Sequence, residues 1–123
     1  RVDTLPTVIF IRIDESLFFG NLGSVELRLK QVLSQSPDVR HLVLVMSAVN
    51  RMDATAVDVL EEINRDLAER KIRLHLAEVK GPVQDRLMKT ALWSALSGEV
   101  FLSINAAFEK LAVNTGTDLT SDR

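Results

Sequence analysis

The sequence predicts a layered α/β domain, and three observations carry that prediction. Leu42-Val43-Leu44-Val45-Met46 is an unbroken apolar run of strand length, the pattern of a strand covered on both faces. A polar loop, Ser47 to Met52, and a helix opening at Asp53 follow it directly. Elsewhere, short apolar runs alternate with segments of helical periodicity, the order expected of helices packed around a sheet.

Taken in order, Arg1 to Pro6 reads as an extended lead-in and Val8 to Ile13 as a strand with Ile9, Ile11 and Ile13 on one face. Asp14-Glu15-Ser16 breaks the apolar pattern as a turn, and Leu17-Phe18-Phe19 reads as the return leg of a hairpin. Asn21 is a cap for a first helix with Leu22, Val25, Leu29, Val32 and Leu33 inward, stopped at Ser36-Pro37-Asp38. In the second helix Asp53 accepts from the backbone N–H of Thr55 or Ala56, and Met52 packs on Val57 as a hydrophobic staple. Ala56, Leu60, Ile63 and Leu67 mark its buried stripe. Ile72, Leu74 and Leu76 alternate with Arg73 and His75, which predicts a strand with one wetter face. Gly81-Pro82 opens a third helix with Val83, Leu87 and Ala91 inward, breaking near Ala91 into a separate short turn. Val100 to Leu102 is a last strand, and Ser103 caps a fourth helix with Ile104, Ala107, Phe108 and Leu111 buried. From Asn114 the periodicity ends and a frayed tail is expected. The sum is a mixed sheet of about five strands with about four helices around it.

Composition narrows the function. A chain of 123 residues with net charge -2 is one domain with no general attraction to nucleic acid or anionic membranes. It has no cysteine, which removes disulfides, thiolate metal sites and cysteine nucleophiles. No apolar run approaches the ~18–20 residues that cross a bilayer, and no signal peptide is recognisable. The expectation is a soluble segment that carries no cofactor.

Motifs for chemistry are scarce. The histidines are His41 and His75, far apart in sequence and without ligand spacing, so each reads as a surface or locally bonded strand histidine rather than a metal ligand. Neither a P-loop nor a dinucleotide fingerprint occurs, which leaves only the weak anion affinity of any helix N-terminus. A phosphoaspartate receiver is disfavoured because the long strand ends Met46-Ser47 and no lysine follows Leu102. Ser16, Ser47, Thr55 and Ser103 lack a histidine partner or a nucleophile elbow. Asp53 beside Thr55 reads as a helix cap with a first-turn threonine, not as base and nucleophile. Met46, Met52 and Met88 read as core or loop packing, and Trp93 as partly buried.

The run from Leu42 to Leu60, with Asp53-Ala54-Thr55-Ala56 at the helix start, resembles the signature of STAS domains. Phe18-Phe19-Gly20-Asn21 and Val79-Lys80-Gly81-Pro82 resemble the branch that forms the cytosolic C-terminal domains of SulP-type sulfate permeases and related anion transporters. The match runs from about Thr7 to Leu111. The resemblance implies an anti-sigma factor antagonist-like α/β fold over residues 7–113, with 1–6 as the remnant of a connector and 114–123 as a flexible tail. It implies a non-enzymatic module at the cytoplasmic face of the membrane. Its expected partners are the transmembrane domain of its own transporter, soluble regulatory proteins and a second copy of the transporter. The expected contact surface is Ser47, Asn50, Arg51, Met52, Asp53, Ala54 and Thr55. In soluble relatives the second hydroxyl residue of the signature accepts phosphate, and the matching position is Thr55. Ala54 departs from the usual hydroxyl, and threonine stands where serine is usual. A free-standing, phosphorylation-controlled partner switch is the alternative reading.

Overall fold

The computed structural model describes residues 7–14 and 22–111. Along them run β1 (Val8–Arg12), α1 (Leu22–Ser34), β2 (His41–Val45), α2 (Ala54–Glu69), β3 (Arg73–Ala77), α3 (Gly81–Leu87), α4 (Ala91–Ala95) and β4 (Val100–Phe101). A further helix, α5, covers residues 104–111. The strands form one sheet in the order β1-β2-β3-β4, and every pairing is parallel. The expected antiparallel leg, Leu17 to Phe19, and the Asn21 cap lie outside the described residues, as do 1–6 and the tail. Over the described residues the expected mixed sheet is therefore a four-stranded parallel one.

Consecutive order decides where the layers sit. Each crossover joins adjacent parallel strands, and right-handed crossovers in one direction put all their helices on one face. The larger cluster of buried residues lies there: Leu42, Leu44, Leu74 and Leu76 of the sheet pack with Leu29 of α1, Leu60 of α2 and Leu87 of α3. Alternate residues of the same strands, Val43 and Ala77, face the other way and join Phe101 with Ala107 and Leu111 of α5. Burial of β2 on both faces follows, with Leu42, Val43 and Leu44 all at 0% exposure. Burying a leucine this fully is worth about 1.5–3 kcal/mol.

α2 buries Ala56, Val57, Leu60, Asn64 and Leu67. Ile63 is only partly buried, so an asparagine takes the deepest place on that side of the stripe. The helix ends in a six-residue closure: the Ile72 N–H donates to the Leu67 carbonyl at 2.8 Å and the Lys71 N–H to that of Ala68 at 3.0 Å. This Schellman arrangement needs a left-handed residue after the cap, and Lys71 supplies it with φ 65°.

Several packing expectations are corrected. The third helix stops at Leu87, where Thr90 turns back to donate its hydroxyl to the Leu87 carbonyl at 2.7 Å. Ala91 is accordingly exposed at the start of α4, and Leu92 packs inward instead. His75 is not on a wet face: β4 and α5 cover it, and it is 1% exposed. Phe108 is 60% exposed because the seam of α5 is narrow, running through Ala107 and Leu111. Met88 and Leu102 are exposed as well, the latter because β4 ends one residue earlier than expected.

Candidate functional site

The loop after β2 is built outward from the sheet. The Met46 N–H donates to Ala77 of β3 at 2.9 Å, and the Val49 N–H returns to the Met46 carbonyl at 3.0 Å. That turn drives Val49 into the core at 0% exposure, and Met52 follows at 4%. Between and beyond these two anchors, Asn50, Arg51, Ala54 and Thr55 are exposed, while Ser47 and Asp53 are half-buried. The seven residues expected to form a contact surface are thus divided. Met52 belongs to the core, because a methionine beside the helix cap has apolar surface to bury. The Ser47 hydroxyl is buried with no hydrogen-bond partner among the described residues.

Two fixtures hold the loop's shape. Asp53 stands in extended backbone and its Oδ1 accepts from the Ala56 N–H at 2.8 Å, satisfying one of the donors a first turn leaves open. Lys80, from the loop after β3, donates to Asn50 Oδ1 at 2.7 Å. A neighbouring cap closes the same end of the sheet. Ser103 Oγ accepts from the Ala106 N–H at 3.0 Å, and Glu78, held at φ 58°, accepts from the Ile104 N–H at 3.1 Å. Thr55 projects from the first turn of α2 beside a carboxylate already engaged in capping.

A parallel sheet opens a ligand crevice where its strand order reverses, and the order of the described strands never does. A groove of about 140 Å³ between α1 and α2, lined by Leu29, Leu33, Ile63 and Leu67, lies on the helical face instead. It is below the roughly 300–1,000 Å³ of small-molecule sites. Among the described residues no cluster of three or more metal-ligating side chains occurs. No helix among them is long and apolar enough to cross a membrane.

The sequence reading missed one cluster. His41 and His75 are not isolated: parallel pairing sets His41 beside Arg73 and Val43 beside His75, so both rings share the α5 face. His41 Nδ1 lies 2.9 Å from His75 Nε2, and the Glu99 N–H donates to His75 Nδ1 at 3.0 Å. Burial, then the charge of His41 and Arg73, pushes His75 down to about 4. Burial, with Arg73 and Arg40 adding to it, also lowers His41. The signal was present in the matching alternation of His41-Leu42-Val43-Leu44 and Arg73-Leu74-His75-Leu76, but only strand register reveals it.

Comparison with known proteins bears on what such a domain is. A family model described as STAS domain matches residues 1–107. High affinity sulfate transporter 2 of Stylosanthes hamata is 27% identical over 115 residues, which cover 85% of this chain and 17% of that protein. The chain therefore spans about a sixth of the transporter's length. The solved structure of a sulfate transporter family protein from Wolinella succinogenes is 30% identical, with TM-score 0.70 over 90% of this chain and 92% of that one. The STAS domain of a SulP transporter from Vibrio cholerae has the same fold, with TM-score 0.77 and 19% identity over 93% of this chain and 88% of that one. With the family model covering most of its length, and the sheet and its covering helices matching that fold, the chain belongs to the STAS domain family and is related to the STAS domains of sulfate transporters.

Proposed function

We propose that this chain is the regulatory, protein-docking domain of a sulfate or related anion transporter. It acts at the cytoplasmic face of the membrane, by contact with its transporter's membrane domain rather than by catalysis. The observation that carries the reading is the loop's construction. Asn50, Arg51, Ala54 and Thr55 are exposed on a segment pinned by buried Val49 and Met52 and by the Asp53 cap. A surface pre-organised in this way loses little conformational entropy on docking. Soluble regulators or a second copy of the transporter would meet the same end of the sheet.

The test is uptake of labelled sulfate by the full-length transporter that carries this domain, wild type against Thr55→Glu. Thr55 is exposed, so the isolated variant should melt within a few degrees of wild type, while uptake falls severalfold. Unchanged uptake by a folded variant removes this surface from the proposal. The second reading, a phosphorylation-controlled partner switch, is favoured by the exposure of Thr55 at the positive end of α2. Phosphate there adds about -1.5 to -2 charge. Incubation with a cognate kinase and ATP, followed by mass spectrometry, should then find phosphate on Thr55; its absence ends that reading.

A further inference from the structure

Hydrogen-bond geometry assigns every ring proton of the His41–His75 pair, of which His75 is buried and His41 half-buried. The Glu99 N–H points at His75 Nδ1, so that nitrogen is bare and the neutral ring carries its hydrogen on Nε2. That hydrogen faces His41 Nδ1 at 2.9 Å, which must accept it, leaving the His41 hydrogen on Nε2. The relay runs one way, from the Glu99 N–H through His75 to His41. An added proton has two places to go, and each costs a bond. On His75 it lands on Nδ1 against the Glu99 N–H; on His41 it lands on Nδ1 against the Nε2–H of His75.

The charged surroundings make the added proton harder to accommodate. Arg40 precedes β2, Arg73 lies on β3 beside His41, and Lys110 reaches in from α5. Glu99 is the one carboxylate among the described groups that act on His75, and it is already bound to Lys110 at 2.8 Å. The Lys110 hydrogen bond keeps its carboxyl below the usual range.

What the pair fastens is thinly held. β4 is a two-residue edge strand, and α5 meets the sheet through a cluster of five buried residues: Val43, Ala77, Phe101, Ala107 and Leu111. Phe101 also rests on the His75 ring, with centroids 5.5 Å apart. Behind the ring Gly98 approaches so closely that a Cβ would run into the Leu74 carbonyl and His75 Nδ1. The ring, the 97–99 segment and Phe101 are therefore packed as one unit.

We propose that the His41–His75 pair is an acid-operated latch: a proton on either ring breaks the relay and frees residues 99–111, β4 with α5, from the sheet. The device responds to proton concentration and controls α5. Backbone hydrogen exchange on the full 123-residue chain tests it, at pH 7 and pH 5, with each amide corrected for its intrinsic rate. With an ordinary pKa of 6.5 when open and about 4 when closed, linkage raises the opening of residues 99–111 on the order of twentyfold, while β2 moves far less. Equal changes in both regions, or none in 99–111, overturn the latch. Ring ¹⁵N shifts of the wild-type chain at pH 7 supply a second measure that needs no variant. His75 protonated on Nε2 alone supports the relay, and His75 protonated on Nδ1 overturns it. In the double variant His41→Gln, His75→Gln the acid step in 99–111 should vanish, and its persistence in a folded double variant refutes the assignment.

Discussion

Replacing Asn64 by alanine probes the polar joint that holds the 95–99 segment against α2. Asn64 is 3% exposed on a stripe otherwise made of Ala56, Val57, Leu60 and Leu67. Its Nδ2 donates to the Ala95 carbonyl at 2.8 Å, and its Oδ1 accepts from the Ser97 N–H and hydroxyl, each at 3.1 Å. Ser97 Oγ in turn accepts from the Leu74 N–H at 3.0 Å, so the joint reaches β3. Three hydrogen bonds at about 1 kcal/mol each, with a buried N–H and C=O left short of partners, put the loss at roughly 2–4 kcal/mol. A domain between the 60–100-residue and 150–250-residue classes loses about 4 °C of Tm per kcal/mol, so the midpoint should fall by roughly 8–16 °C. Urea unfolding of wild type and Asn64→Ala measures the energy. Hydrogen exchange at the amides of Leu74 and Ser97 locates it. A loss below about 0.5 kcal/mol, with those amides still protected, would refute the reasoning, because it would mean the three bonds are replaced at no cost.

Three further outcomes are expected. Lys71→Gly relieves a side chain held at φ 65° and should stabilise the domain by about 0.5–1 kcal/mol in thermal melts. Gly98→Ala forces a methyl group against the Leu74 carbonyl and the His75 ring. It should cost about 1–3 kcal/mol and shift the His75 ring resonances. Asp53→Ala removes the bond to the Ala56 N–H and should cost about 0.5–2 kcal/mol in urea, with the far-ultraviolet circular dichroism of the folded protein preserved.

Local patterns carried far in this chain because several elements are determined by neighbours in sequence. The unbroken run Leu42 to Met46 is buried throughout, and Asp53 caps α2 through Ala56 as the spacing predicts. Ser103 likewise accepts from the Ala106 N–H. Such features need only one turn or one strand to form. Where a residue's fate depends on what covers it, the pattern misleads. Ala91 and Phe108 sit at helical spacing with buried neighbours yet are exposed, because α3 ends early and α5 touches the sheet along a narrow seam.

By itself, then, the sequence determined the α/β class, the alternation of the described elements, the Asp53 and Ser103 caps and the family resemblance, since each rests on short-range periodicity, backbone donors and motif residues. Only the tertiary structure decided that the four described strands run parallel in consecutive order, and that order places α1 to α4 on one face and α5 on the other. It also decided that histidines 34 positions apart share a hydrogen bond. Strand register is the physical reason: it fixes which side chains become neighbours, and no window of sequence contains it.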